Sequence, residues 1–189
     1  MNSKERVLTA VSHKIPDRVP ITNRFNPEIA EQLQKILKIK SKDSFDLEVE
    51  LGHDLLCTKE IGIVSSYSLQ HNRQTGQNEY ICDFGIIKKK INYTGGSYLE
   101  IIKNPLEDLN NYSSYKFPEP QSQASLQNEF KSFEKGVKKY GKTHAVVGGV
   151  TCTIFEGCCM LRGLARVLMD LIDNGDFLND LMDKLEGYH

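Results

Sequence analysis

His144-Ala145-Val146-Val147-Gly148-Gly149-Val150 is the stretch that decides the fold class. A short run of small and β-branched apolar residues, left through two glycines, has the composition of a strand buried on both faces of a parallel sheet. Upstream, Leu126, Phe130, Phe133, Val137 and Tyr140 recur at spacings of four, three, four and three, which puts all five on one face of a long helix closed by Gly141. Downstream, residues 154–172 read as one helix carrying Leu161, Leu164, Ala165, Leu168 and Leu171 at helical spacing. Asp173-Asn174-Gly175 breaks that helix, and Asp176 caps a last one with Phe177, Leu178, Leu181, Met182 and Leu185 as its apolar set. Helix, strand, helix is the repeating unit of a parallel α/β fold.

The alternation extends toward the N-terminus. Ser3 is placed to cap a short helix with Val7, Leu8 and Val11, which Pro16 ends. Arg18-Val19-Pro20-Ile21-Thr22 then reads as a strand, and Asn26-Pro27 opens a helix striped by Ile29, Leu33, Ile36 and Leu37. Residues 44–51 suit another helical turn or two, and Leu55-Leu56-Cys57 reads as a buried strand entered through Gly52-His53-Asp54. Between Tyr67 and Ile102 the character changes to a β-hairpin or meander. Asn104-Pro105 resembles a helix start, and Phe117-Pro118-Glu119-Pro120 is a proline-rich linker.

The 189 residues carry 24 Lys+Arg against 25 Asp+Glu, a formal net charge of -1. That balance argues against nucleic-acid binding through counterion release and against a basic membrane-surface face. With 39% hydrophobic and 26% charged residues the chain has globular composition. Five irregularly spaced cysteines and a charged N-terminal stretch without an apolar signal core point to a reduced, cytoplasmic location.

Several residues bear chemistry. Gly148 to Thr153 lies at a strand-to-helix junction, where backbone amides can hold an anion; the glycines equally allow close packing. Glu156, in the following first turn, suits either general acid/base work or the helix dipole. Arg24, after the first strand, is placed to grip a carboxylate or to be a solvated loop residue. Cys158 and Cys159 point about 100° apart on a helix and do not jointly hold a metal. His53 and Cys57 need a further ligand on the same side to bind one, so no metal ligand is assigned. Lys88-Lys89-Lys90 reads as a solvated edge strand.

The ordered stretches Ser3-Lys4-Glu5-Arg6-Val7-Leu8-Thr9-Ala10, Pro16-Asp17-Arg18-Val19-Pro20, Asp83-Phe84-Gly85-Ile86-Ile87, Pro105-Leu106-Glu107-Asp108 with Tyr115 to Pro120, and Gly149-Val150 through Phe155-Glu156 with Leu161-Arg162-Gly163 and Leu168-Met169-Asp170-Leu171 resemble signatures of the uroporphyrinogen decarboxylase superfamily. The resemblance implies a (β/α)8 TIM barrel, of which this chain would form the N-terminal half with a β-hairpin insertion. It implies an enzyme of one of two kinds: a cofactor-free decarboxylase of a tetrapyrrole, or a corrinoid-linked methyltransferase that uses zinc to make a thiolate. Asn23-Arg24-Phe25-Asn26 departs from the arginine-rich motif of the decarboxylases, which favours methyl transfer to a thiol; the alternatives are decarboxylation and an inactive half-barrel binding module. The zinc ligands of such methyltransferases lie in the second half of the barrel, so neither zinc nor corrinoid is assigned within this chain. Glu156 and Glu60 are the candidate catalytic residues, and Arg24, Thr151, Phe155 and Cys159 the candidate substrate contacts. The expected partners are a small-molecule substrate, a corrinoid protein and a second copy of the chain.

Overall fold

The computed structural model describes residues 1–41, 44–57, 61–62, 72–120 and 123–189, with side chains throughout except at 44, 61–62, 123–126, 128–129, 132 and 151. In chain order the elements are α1 (Ser3–Val11), α2 (Pro27–Ile36), α3 (Ser44–Glu50), β1 (Leu55–Cys57), β2 (Ile61–Gly62), β3 (Asn72–Gly76), β4 (Glu79–Cys82), β5 (Ile87–Tyr93) and β6 (Gly96–Lys103). A 3-10 helix (Leu109–Ser114), α4 (Gln123–Tyr140), β7 (Ala145–Val147), β8 (Val150–Thr151), α5 (Ile154–Arg162), α6 (Leu164–Asp173) and α7 (Gly175–Tyr188) follow. They divide into two compact units, residues 1–61 with 122–149 and residues 62–121 with 150–189.

In the first unit β1 and β7 pair in parallel, Leu55 opposite Ala145, Leu56 opposite Val146 and Cys57 opposite Val147. Leu56 is fully buried, but Val147 is exposed, so β7 is not the doubly covered strand its composition predicts. Helix α1 begins one residue earlier than expected. Asn2, not Ser3, is the cap: its Oδ1 accepts the Glu5 amide at 2.8 Å while Glu5 Oε2 accepts the Asn2 amide at 2.9 Å. The Lys4 amide donates to the Thr143 carbonyl and its Nζ to the Gly141 carbonyl, fastening α1 to the turn before β7.

The expected strand at Arg18–Thr22 does not form. Its ladder partner is replaced by a carboxylate: the Ile21 amide donates to Asp54 Oδ2 at 2.9 Å, and the Asp54 amide returns a bond to the Ile21 carbonyl at 2.8 Å. Asp54, with no exposed surface, also accepts Arg6 Nη1 at 2.5 Å and Arg18 Nη1 at 2.6 Å, while Asp17 holds Arg6 Nε at 2.6 Å. Burial pushes the Asp54 carboxyl up, but the Ile21 amide and the Arg18, Ser3 and Arg6 donors outweigh it and hold it down at about 2. On the other side of this unit Phe45 of α3 packs against the backbone of Gly136 in α4, and Asp46 binds Lys139 and Tyr140.

The second unit is built on an antiparallel meander in the order β3-β4-β5-β6, running from Asn72 opposite Cys82 to Tyr93 opposite Gly96. Its core gathers Phe84, Ile86, Leu106, Cys158, Leu161, Val167, Leu178, Leu181 and Leu185. The helix start expected at Asn104-Pro105 is a turn, followed by the short 3-10 helix whose cap is Asp108. Residues 154–172 do not make one helix: Gly163 takes φ 92°, a backbone conformation suited to glycine, and separates α5 from α6.

The half-barrel expectation is therefore overturned. A (β/α)8 half requires successive parallel strands each followed by a helix, whereas here parallel pairing joins β1 to β7, and β3 to β6 between them form an antiparallel sheet. The chain is a mixed α/β protein. Among the described residues no helix is long and apolar enough to cross a membrane.

Removing the carboxylate in Asp54→Ala takes one of two acidic partners from buried Arg6 and the acidic partner from half-exposed Arg18 and leaves the Ile21 amide unpaired, and is expected to cost about 3 kcal/mol of stability, read from denaturant unfolding. Because the folded carboxyl sits below the unfolded value of about 4, its contribution is complete above that pH and lost as pH falls toward about 2. Thermal midpoints of Asp54→Asn should lack that part of the acid-side decline. Gly136→Ala sets a helix-propensity gain of about 1 kcal/mol against a methyl placed 2.5 Å from the Phe45 ring. Phe45 is 1% exposed and has nowhere to retreat, so a net loss of about 1–2 kcal/mol is expected.

Candidate functional site

The junction between β8 and α5 concentrates the chemistry of the second unit. Cys152, buried, adopts φ 53°, a left-handed conformation that costs a non-glycine residue about 1–3 kcal/mol. The next residue, Thr153, flanks α5 without giving it a side-chain cap. The first amides of α5 thus have no intrahelical acceptor and carry the positive end of its dipole. Glu156 stands exposed in that first turn and Phe155 beside it is also exposed. Cys159 lies three residues after Glu156 and is half-buried; burial pushes its thiol up, and the Glu156 charge adds to the shift. Cys158, on the core side, is pushed up to about 11, chiefly by burial.

Two further groups border Cys152. The His189 imidazole is pulled down by burial and partly restored by a hydrogen bond to the Cys152 backbone. Lys88 is 1% exposed, contrary to its reading as a solvated edge residue. Burial lowers its ammonium, and the Cys82 and Cys152 thiols act in the opposite direction. The signal for Lys88 was in the strand period: it lies two residues from fully buried Ile86, on the inward-facing alternate positions.

Phe155, Glu156 and Cys159 are thus brought together on α5. Thr151 contributes the backbone of β8, its side chain lying outside the described residues, as does Glu60 altogether. Arg24 belongs to the first unit, where it is exposed and its amide donates to Asn23 Oδ1. The Asp54 beside His53 is fully occupied by arginines and a backbone amide, so it offers no metal a lone pair. His53 itself is 5% exposed, lies 6.1 Å from the Phe25 ring in a stacked arrangement, and has no hydrogen-bond partner at Nδ1. Among the described residues no three His, Cys, Asp or Glu side chains gather as a metal-ligand set. Comparison with family models, curated proteins and solved structures gave no match to this chain.

Thiol alkylation followed residue by residue in mass spectra should leave Cys158 unmodified at pH 8 until the protein unfolds. Glu156→Gln removes the repulsion on the Cys159 thiolate and should speed alkylation of Cys159 about two- to threefold, as expected for one solvent-screened charge. An unchanged rate would show that the two side chains do not sense each other.

Proposed function

We propose that the chain is a uroporphyrinogen decarboxylase-like protein of the corrinoid-linked methyltransferase branch, and that its part in methyl transfer to a thiol is to hold substrate at the α5 N-terminus rather than to activate the thiol. The family reading draws support from how its signature residues are used. Arg6 and Asp17 from separate signatures bind each other. Arg162 reaches the Leu106 and Glu107 carbonyls, and the Tyr115 hydroxyl donates to the Phe84 carbonyl. Residues of these stretches tie distant segments together, as Asp54 and Asp46, outside them, also do.

The choice of branch rests on one observation, the employment of the arginines. Of the six in the sequence, Arg6 and Arg18 close on Asp17 and Asp54, Arg162 on Asp170, and Arg166 on Glu107. A tetrapyrrole bearing many carboxylates is gripped by a cluster of guanidinium groups facing it, and four of the six here are already neutralised by acidic side chains of the chain itself. A smaller substrate with a single anionic group needs no more than a helix N-terminus, and α5 supplies one beside the exposed ring of Phe155.

The deciding experiment runs two assays on the purified chain and on any longer form encoded by the same reading frame: loss of the methylcobalamin spectrum in the presence of a thiol, and carbon dioxide release from uroporphyrinogen. Thiol methylation without carbon dioxide is expected. Carbon dioxide release alone would overturn the proposal in favour of the decarboxylase.

A further inference from the structure

Helix α6 is patterned inside out. Val167 and Asp170 face the core, where Asp170 accepts Arg162 Nε at 2.7 Å and Asn174 Nδ2 at 2.8 Å. Arg166 turns aside to Glu107 Oε1 at 2.7 Å. Outward stand Leu164, Leu168, Met169, Leu171 and Ile172, the last at 87% exposure, with small Ala165 among them. At about 100° per residue these six positions cover an arc of roughly 160° that contains no charge. Scattered exposed leucines are ordinary; a contiguous uncharged face on one helix marks an interaction surface.

We propose that this face pairs with the same face of a second copy, the two α6 helices running antiparallel about a two-fold axis near Leu168. Three features choose this occupant. First, the face is apolar from edge to edge, so its best complement is another uncharged surface, and a two-fold pairing supplies it without a further component. Second, the charges at its rim are complementary to themselves when one helix is reversed. Asp173 and Arg166 lie on the same rim toward opposite ends of α6, and Gly163 gives the helix no side-chain cap. Antiparallel pairing sets Asp173 of each copy beside the uncapped N-terminus and the Arg166 of the other, where a carboxylate is favoured. Third, the five large side chains expose on the order of 500 Å² per copy, so a pair that covers them fully buries about 1,000 Å² in total, the least that a specific interface needs. The pairing needs no barrel and leaves the β8–α5 junction outside its contact list.

Sedimentation velocity over a concentration series tests this. The mass should rise from 21.5 kDa toward twice that value at concentrations of about 10–100 µM. The double variant Leu168→Asp, Ile172→Asp changes side chains that are exposed in the single copy, so it should remain monomeric throughout with an unchanged cooperative thermal transition. Asp173→Lys should weaken association several-fold, an effect that salt diminishes. A wild-type chain at single mass at every concentration overturns the proposal, as does a double variant that still dimerises. Loss of the cooperative transition in the double variant overturns it too, since the face would then be covered by the chain's own packing. An unchanged association constant in Asp173→Lys overturns the antiparallel arrangement.

Discussion

A carboxylate that has lost all contact with water must be surrounded by donors, and Asp54 shows what that demand does to a chain. It sits at the mouth of β1 with no exposed surface, so Arg6 must reach it from α1, Arg18 from the following segment, and the Ile21 amide from beyond that. Two arginines and a backbone amide from residues 6–21 are pinned to one side chain at position 54. The conformation of the segment at Arg18–Thr22 follows from this, because its backbone bonds go to Asp54 rather than into a sheet. In the second unit the pairing of Arg162 with Asp170 plays the same part for α5 and α6, and the guanidinium extends the hold to the Leu106 and Glu107 carbonyls.

This explains which parts of the structure were readable from residue order. Helices α2, α3, α4 and α7 and the antiparallel meander follow from period and turn residues, which are local, although α7 begins at Gly175 with Asn174, not Asp176, at its N-cap. The errors arose where a buried charge or one glycine decided the matter. Arg18–Thr22 has strand composition but a carboxylate for a partner. The run from Ile154 to Ile172 has continuous helical spacing, yet Gly163 at φ 92° resets its phase, so Leu164, Leu168 and Leu171 face outward instead of joining Leu161 in the core. The barrel half, which the family resemblance implied, fails on strand pairing: Ala145–Val147 pairs in parallel with Leu55–Cys57, and the sheet formed by β3 to β6 is antiparallel. A three-residue parallel pair has the same local composition as a strand of a closed barrel, and the difference lies in long-range pairing that local pattern does not encode.

The candidate site was legible only where it was local. Phe155, Glu156 and Cys159 share one helix, so helical geometry alone brings them together. Lys88 was missed because a run of three lysines reads as solvated when each is taken by its chemistry, although alternation along β5 sends one of them inward. Its burial beside two thiols carries an energetic demand that the surface reading of a charge run leaves out.

The inward turn of charge on α6 and the neutralisation of the arginines are one phenomenon seen from two sides. Burying Arg162 requires Asp170 on the core side of α6, and once that position and Arg166 are committed to intramolecular partners, the surface of the helix between Leu164 and Ile172 has only apolar residues to present, with Asp173 at its rim. The same commitments withdraw guanidinium groups from any multiply charged ligand. Internal ion pairing therefore moves the recognition capacity of this chain away from charge clusters and toward two other devices, a helix N-terminus open to a single anion and an apolar helix face open to another protein surface.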